Sequence, residues 1–285
     1  MVNSIQISGV QYTYPGSDHP ALVLDEMTIQ EGQICWLSGL NGAGKTTLCR
    51  LLAGLIPHFF RGQLSGGIQV YGQDTTQLAL ADVSGLVGFI MDDPFDQLTR
   101  ATYTVRGEIA FGLQNIGLPP DEIHERIEET MGQLGIAALA ERLPTSLSGG
   151  EQQRVAIASI FARRPNVLVM DEATSQLDPQ GCEDIFDLVT RFKEMGKTIL
   201  MVESKPDNIS QVADRLLVLQ DGHLIANGPV KDVLGSGVYE QAGLSLPSYP
   251  SLARGLQAKA VAVEKLPVTL EEARVMVERL RHASH

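Results

Sequence analysis

The sequence predicts an α/β fold in which helices cover a parallel sheet and an antiparallel β subdomain adjoins it. Between residues 151 and 229, segments with helical apolar spacing alternate with short, almost wholly apolar runs such as NVLVMDEA and TILMVE. Such runs are typical of strands buried on both faces of a parallel sheet. Residues 4–37 instead alternate apolar and polar positions around the turn PGSDHP, as antiparallel strands do.

The segments after the first strands predict a helix, a strand and a helical insertion. The run TTLCRLLAGLI after Lys45 has helical spacing and ends at Pro57, and GGIQVYGQD indicates a strand and turn. Residues 105–143 carry leucines and charges at helical spacing around a Pro-Pro break. We therefore expect a helical insertion at about residues 93–150.

The last third of the chain predicts a hairpin and a helical tail. RLLVLQDGHLIANG has the pattern of two strands joined by a turn. Beyond it, LPVTLEEARVMVERL is amphipathic, and Thr269 can cap the helix that follows. With 285 residues there is room for one large and one small domain. We predict a main domain over residues 1–242 and a short helical C-terminal extension over residues 243–285.

Composition and charge exclude several functions. The net charge of −12 and the pI near 4.9 oppose non-specific binding to nucleic acid or to an anionic membrane surface. No apolar run reaches the roughly 18 to 20 residues that span a bilayer, and the first residues lack a secretory signal. The three cysteines lack metal-binding spacing, so neither zinc nor a disulfide is implied. We expect a cytoplasmic protein that reaches a membrane only through a protein partner.

The segment GLNGAGKTT, residues 39–47, carries the strongest functional signal. It follows the strand QICWLS and precedes a helix, and it fits G-x4-G-K-T in the context that gives this pattern meaning. Glycines let backbone amides converge on phosphate oxygens, Lys45 adds a positive charge, and the Thr46 hydroxyl can ligate Mg2+. The predicted nucleotide-binding residues here are Gly39, Leu40, Asn41, Gly42, Ala43, Gly44, Lys45, Thr46 and Thr47.

A second acidic motif supports the same chemistry. NVLVMDEATSQLD delivers Asp171 and Glu172 to the C-terminal end of a buried strand, where open parallel sheets bind their ligands. Asp171 would hold magnesium through water. Glu172 would orient and activate the attacking water. Two carboxylates at a strand end are weak evidence alone, but a phosphate-binding loop in the same chain makes a phosphate-hydrolysing site the better interpretation.

The tetrapeptide LSGG occurs twice, at residues 64–67 and 147–150. We interpret the first as a turn before a strand. Only the second continues, as EQQRVAIASIFARRP, into a helix. LSGGEQQR resembles the signature motif of ATP-binding-cassette (ABC) ATPases, which are P-loop NTPases. With the phosphate loop, DEATSQLD and VADRLLVLQDGHLIANG, the resemblance covers nearly the whole chain.

This resemblance implies roles that the residues alone do not assign. Tyr14, in QYTYPG, would stack on the adenine of ATP. The signature of each subunit would bind the γ-phosphate of ATP held by the other subunit, so the working unit would be a head-to-tail dimer around two ATP. The residues that would make this contact are Ser148, Gly149, Gly150 and Gln152.

A narrower resemblance concerns the subfamily. DDPFDQL, residues 92–98, then TVRGEIAFGLQNIGLP and the tail GLSLPSYPSLARGLQ are similar to segments of the ATPases of energy-coupling-factor transporters, which import vitamins and transition-metal ions. The resemblance implies a second ABC ATPase subunit, a transmembrane scaffold subunit and a substrate-binding membrane component as partners. The chain would then lie at the cytoplasmic face of the membrane as a peripheral subunit.

Two positions depart from the family pattern. Ser204 stands where a histidine is usual, and Asp92, which we also count as a predicted magnesium ligand, stands where a glutamine is usual. By analogy with oxyanion donors, loss of a hydrogen-bond donor at a reacting phosphate raises the activation free energy by about 3 to 4 kcal/mol. We therefore expect a weakly active own site, with Glu172 and Ser204 as catalytic residues, in a heterodimer whose partner is regular. Serine with a water replacing histidine without penalty is the simpler alternative.

The sequence leaves three other functions open. The chain could be the ATPase of another importer or exporter, a soluble cassette ATPase, or a nucleotide-binding regulatory subunit. Soluble cassette ATPases usually carry tandem cassettes or long coiled coils, and this sequence has neither. The sequence does not name the transported substrate.

Overall fold

The computed structural model describes residues 2–263 and 265–283, and a ten-stranded sheet runs through this part of the chain. The strand order is β5-β4-β1-β2-β10-β9-β3-β8-β7-β6. The strands are β1 Asn3–Thr13, β2 Leu22–Gln30, β3 Ile34–Ser38, β4 Gln63–Val70, β5 Gln73–Asp74, β6 Val87–Ile90, β7 Val167–Asp171, β8 Thr198–Val202, β9 Arg215–Gln220 and β10 His223–Pro229.

Helices cover the sheet and extend beyond it. The α-helices of the described residues are α1 Lys45–Leu52, α2 Leu55–His58, α3 Leu80–Leu86, α4 Pro94–Gln97, α5 Val105–Asn115, α6 Pro120–Gln133, α7 Gly149–Phe161, α8 Pro179–Glu194, α9 Pro206–Val212, α10 Val230–Ser236, α11 Val238–Gln241, α12 Ser248–Ala258 and α13 Leu270–Ala283. None of them has the length and apolarity that a membrane span requires.

The parallel half of the sheet consists of β9, β3, β8, β7 and β6. Alternate residues of its central strands enter two hydrophobic cores: Val167 and Val169 of β7 belong to one, and Leu168 and Met170 to the other. A strand buried on both faces has no polar side, which is why these runs are almost wholly apolar. The predicted α/β fold is confirmed, and the carboxyl ends of the five strands lie along one edge.

The antiparallel half contains β1, which pairs with β2 and β4. Our prediction of a turn at the first LSGG is wrong, because residues 64–67 lie inside β4. The register of β1 with β4 shifts beside this segment. There Gly66 has φ +87°, and a Cβ on it would lie 2.3 Å from the carbonyl oxygen of Gly9. The glycine of this LSGG therefore serves a β-bulge.

The helix after the phosphate loop also differs from the prediction. It ends as α1 at Leu52 rather than running to Pro57, and Pro57 lies within the short α2. Gly54 between the two helices has φ +72°, and a Cβ on it would lie 2.9 Å from Cγ1 of Val83. A close approach by α3, distant in sequence, therefore accompanies the break.

The helical segments flank the parallel half. α5 and α6 pack against α7, and the buried Glu108 of α5 accepts hydrogen bonds from the hydroxyls of Thr99 and Thr102. In the C-terminal part the Thr269 hydroxyl accepts a hydrogen bond from the Glu272 amide. The predicted N-terminal cap of α13 is therefore confirmed. The division into a main domain and a C-terminal extension stays a prediction, and residues 264, 284 and 285 of that extension lie outside the described residues.

Candidate nucleotide-binding site

The phosphate loop connects β3 to α1 and is shaped by contacts with distant backbone. A Cβ on Gly39 would lie 2.4 Å from the carbonyl oxygen of Leu219, and one on Gly44, which has φ +101°, would lie 2.9 Å from that of Ala21. Only glycine fits at such positions without a shift of the backbone. The loop is thus held against the start of β2 and the end of β9.

Two groups that we predicted to face phosphate make contacts inside the loop. The Lys45 ammonium donates to the carbonyl oxygens of Gly39 at 2.7 Å and Leu40 at 3.0 Å. The amide of Ala43 donates to the carbonyl of Leu40 at 3.1 Å. The carbonyl of Ala43 accepts the Gly222 amide. The predicted nucleotide-binding roles of Asn41, Gly42 and Thr46 stay predictions.

Tyr14 lies beside the phosphate loop, and its role in stacking on adenine stays a prediction. Its hydroxyl is 3.2 Å from the hydroxyl of Thr47 on α1, and Arg50 donates to it at 3.4 Å. Its ring meets that of Tyr12 edge to face, with centroids 4.8 Å apart. Tyr14 is distant in sequence from residues 39–47, and the fold brings its side chain into contact with Thr47.

The predicted magnesium residues converge at the carboxyl edge of the sheet. Asp171 ends β7, is 8% exposed, and is hydrogen-bonded to the Thr46 hydroxyl. Burial raises the pKa of Asp171 above its usual range against that hydrogen bond, and the negative charges of Glu172 and Asp92 raise it further. The four oxygen-bearing side chains therefore share one electrostatic environment.

These side chains fit magnesium. Mg2+ prefers hard oxygen ligands and is usually held by one or two carboxylates together with substrate phosphates, rather than by a full protein cage. The hydroxyl of Thr46 and the carboxylates of Asp171 and Asp92 are such ligands. The described residues contain no cluster of three or more His, Cys, Asp and Glu that could hold a metal ion.

Glu172 has an unusual backbone. Its φ is +50°, and its amide donates to the carbonyl of Val202 at 3.1 Å. A positive φ is uncommon for a residue with a side chain, and such strain concentrates at functional sites. The conformation occurs at the residue that we predicted to activate water.

The two departures from the family pattern lie on either side of β7. Asp92 follows β6 and Ser204 follows β8, and both are exposed. Gln97, nearby in the chain, is no substitute for the missing glutamine. Its carboxamide accepts the Met91 amide and donates to the Phe89 carbonyl, so it braces the turn that carries Asp92.

The signature begins α7. Ser148 caps the helix and forms a capping box with Glu151: the hydroxyl accepts the Glu151 amide, and the carboxylate accepts the Ser148 amide at 2.8 Å. These bonds hold the pKa of Glu151 below its usual value. A Cβ on Gly149 or Gly150 would meet nothing within 4 Å. The side chain of Gln152 donates to the carbonyl of Pro144.

Sequence reasoning missed two buried or bracing side chains, Gln97 and Glu203. The only signal for Glu203 is that an acidic residue directly follows an apolar strand. A cavity of about 820 Å3 was also not predicted. It lies between α10 and α13, its lining includes Leu266 and Met276, and it contains none of the predicted nucleotide-site residues.

Comparison with known proteins agrees with this geometry. The family model described as "ABC transporter" matches residues 24–175. An ABC transporter ATP-binding protein of Pyrococcus horikoshii is 34% identical over 99% of this chain and 98% of its own length. The energy-coupling factor transporter ATP-binding protein EcfA1 of Lacticaseibacillus paracasei is 34% identical, with 93% of each chain covered. Other relatives are longer: the chain spans about half the length of one from Saccharolobus solfataricus, with 35% identity, 86% of this chain and 46% of that protein covered.

Two solved structures are also similar. One is cbiO1 from Clostridium perfringens, described as part of the ABC transporter complex cbiONQ, with a TM-score of 0.74, 28% identity and coverage of 90% of this chain and 100% of that chain. The other is a dimeric ATP-binding cassette bound to ADP and Pi, with a TM-score of 0.68, 24% identity and coverage of 79% and 98%. At that identity it supports the fold alone. The motifs, the fold and the relatives agree, and the chain belongs to the family of ABC transporter ATPases.

Proposed function

We propose that the chain is the ATP-binding and hydrolysing subunit of an energy-coupling-factor type importer for a vitamin or a transition-metal ion. The observation that carries the proposal is that Thr46, Glu172 and Asp92 all interact with Asp171, beside a phosphate loop whose shape requires glycine at Gly39 and Gly44. The names of two relatives support the transporter class. EcfA1 is named an energy-coupling factor transporter ATP-binding protein, and cbiO1 is described as part of the ABC transporter complex cbiONQ.

Each residue of the site has a defined task in this function. The amides of Gly42, Ala43, Gly44 and Lys45 bind the phosphates together with the Lys45 ammonium, which exchanges its present carbonyl partners for phosphate oxygens. Tyr14 stacks on adenine. Thr46, Asp171 and Asp92 hold magnesium, which when bound neutralises phosphate charge. Glu172 orients the attacking water and accepts its proton.

The signature serves a second subunit. Gly149 and Gly150 leave open space at the start of α7, where amides and the helix dipole favour an anion. We propose that the anion is the γ-phosphate of ATP bound by a related ATPase with a regular glutamine and histidine. The site of this chain, with Asp92 and Ser204, turns over slowly and mainly holds ATP as a clamp.

The remaining partners follow from this role. The ATPase pair binds a transmembrane scaffold at the cytoplasmic face of the membrane, through the surface near residues 92–112. A separate membrane component selects the substrate. Nucleic acid is no partner, in keeping with the net charge of −12.

Co-purification tests the proposal. The tagged full chain, extracted with mild detergent from membranes of its own cells, is expected to bring down a second ABC ATPase, a scaffold and a small substrate-binding membrane protein, and calorimetry is expected to detect MgATP binding. A chain that binds no MgATP contradicts the enzymatic role. A chain that binds MgATP but purifies as a fully active homodimer contradicts the heterodimer, and recovery with a different class of permease contradicts the energy-coupling-factor assignment.

A further inference from the structure

Glu203 is a buried carboxylate for which the nucleotide-binding motifs provide no role. It directly follows β8 and is only 3% exposed. A carboxylate is almost never buried to this extent unless other groups satisfy its oxygens. It lies at the carboxyl edge of the sheet, one residue after Val202, which pairs with Asp171.

The two carboxylate oxygens of Glu203 contact two different loops. The Thr174 hydroxyl donates to Oε2, and the Lys205 amide donates to Oε1 at 2.8 Å. The backbone carbonyl of Glu203 accepts the indole N–H of Trp36, on β3, at 3.2 Å. One residue therefore joins the loop after β7, the turn after β8, and the strand that leads into the phosphate loop.

These contacts bear directly on Glu172. Thr174 lies two residues after Glu172. The backbone of Glu172 has φ +50°, and its amide donates a hydrogen bond to the carbonyl of Val202. Such a backbone persists only when the surroundings fix it. The position of the Glu172 carboxylate thus depends on how firmly the loop after β7 is joined to the end of β8.

We propose that Glu203 is a positioning residue that, through Thr174 and the Lys205 amide, fixes the loop carrying Glu172 relative to the turn carrying Ser204. The inference rests on the proposed hydrolysis of ATP by this chain. Glutamine at 203 can keep both contacts: its carboxamide oxygen can accept a hydrogen bond from the Lys205 amide, and its carboxamide N–H can donate to the Thr174 hydroxyl oxygen, with the direction of that bond reversed. Alanine at 203 removes both.

Hydrogen exchange of the nucleotide-free full chain tests the contacts without any activity. In Glu203→Ala the amide of Lys205 is expected to exchange roughly tenfold faster or more, since its acceptor is gone, whereas in Glu203→Gln it stays within about threefold of the wild type. Unchanged exchange in Glu203→Ala would overturn the inference.

Turnover at this chain's own site tests the consequence, measured with the full chain in the assembled complex and with the partner's own site inactivated by substitution. Glu203→Ala and Thr174→Val are expected to lower kcat roughly tenfold, with the Kd for MgATP within about threefold, because binding residues are untouched. Glu203→Gln and Thr174→Ser should stay close to the wild type. Glu203→Ala is the variant more prone to misfold. If it does not fold, the kcat of Thr174→Val alone tests the positioning role.

A matched control separates positioning from packing. Cys182 is buried beside the same loop, and its thiol donates to the Thr174 carbonyl at 3.6 Å. Cys182→Ala perturbs this packing but leaves the Glu203 carboxylate bonds in place. An equal fall of kcat in Cys182→Ala, or a fall confined to affinity, contradicts the positioning role. An assembled wild-type complex that fails to hydrolyse MgATP contradicts the proposed function, whatever the exchange data give.

Discussion

The glycines of the phosphate loop and those of the signature look alike in sequence but differ in what surrounds them. A Cβ on Gly39 or Gly44 would strike the backbone of the same chain, at 2.4 Å and 2.9 Å. A Cβ on Gly149 or Gly150 would meet nothing within 4 Å, and neither of these residues has a positive φ. The first pair is required by the fold of the chain, and the second pair is not.

The two pairs of glycines therefore differ in whether contacts inside this chain explain them. The phosphate loop owes its shape to Leu219 and Ala21. Gly149 and Gly150 are the first two residues of α7, and no packing inside this chain requires glycine there. The open space beside them is compatible with the contact to a second subunit that we propose.

The largest effect is expected from alanine at Gly39. The new methyl group would overlap the carbonyl of Leu219, so the free energy of unfolding should fall by roughly 3 kcal/mol or more. Gly150→Ala is the matched control, and it should leave stability unchanged or raise it by up to about 1 kcal/mol. Urea unfolding of both variants measures the contrast. Equal losses in the two would remove the distinction between the two regions.

The next effect concerns the signature in the assembled transporter. Gly149→Asp sets a negative charge against the phosphate of the partner's nucleotide and should lower ATP hydrolysis about a hundredfold or more. Gly132 of α6 is also exposed and also has open space beside it. Gly132→Asp is therefore the control for added charge. Steady-state ATPase and substrate uptake give the measurement, and a similar loss in both variants argues against a specific contact.

Removal of the lysine charge should act on binding alone. Lys45→Ala is expected to weaken MgATP binding by roughly a hundredfold, because a charged hydrogen bond to the β- and γ-phosphates is lost. Its side chain bonds only loop carbonyls here, so the thermal melting temperature should change little. Isothermal titration calorimetry checks the affinity. Wild-type affinity in this variant would contradict the predicted phosphate contact.

A smaller effect is expected at the altered own site. Ser204→His with Asp92→Gln should raise turnover by about tenfold in the assembled complex, since both restore donors near the reacting phosphate. Glu172→Gln should cost much less than the equivalent change in the partner subunit. Both are measured as steady-state ATPase. No gain from the double variant, or equal losses from the two glutamate changes, would favour a symmetric enzyme in which Ser204 is a tolerated variation.

The smallest effect is a pH dependence at the start of α7. The capping box lowers the pKa of Glu151, so its contribution to stability is fully present above the ordinary value of 4.5 and is lost as the pH falls through the lower folded-state value. The difference in melting temperature between the wild type and Glu151→Gln should therefore shrink as the pH is lowered from neutral into this acid range. A difference that is constant with pH would contradict this assignment.

Local patterns were sufficient to predict the motif-bearing elements. Spacing alone locates the strand before Gly39, the helix after Lys45 and the buried strand ending at Asp171, because each depends on residues close in sequence. The break at Gly54, the bulge at Gly66 and the bracing by Gln97 were not predictable in this way. The first two depend on close approach by α3 and β1, and a glutamine that bonds backbone has no distinctive pattern.

The same limit applies to the site. The phosphate loop and the acidic pair were found from sequence, but the contact of Glu203 with Thr174 joins residues 29 apart. Nothing in either segment states that they meet. Likewise, Gly39 needs glycine because of Leu219, a residue of another strand. Sequence spacing identified the chemical groups, and packing between distant segments determines how they are held.

Trp36 has a consequence for spectroscopy. It is the only tryptophan of the chain, it is fully buried, and its indole bonds the Glu203 carbonyl and lies 5.5 Å from the ring of Tyr239. The Tyr239 hydroxyl in turn lies 3.1 Å from that of Ser38, the residue before the phosphate loop. Intrinsic tryptophan fluorescence of this protein therefore comes from one known place, on the strand that leads into the phosphate loop, and its emission can be followed in real time without attaching any dye.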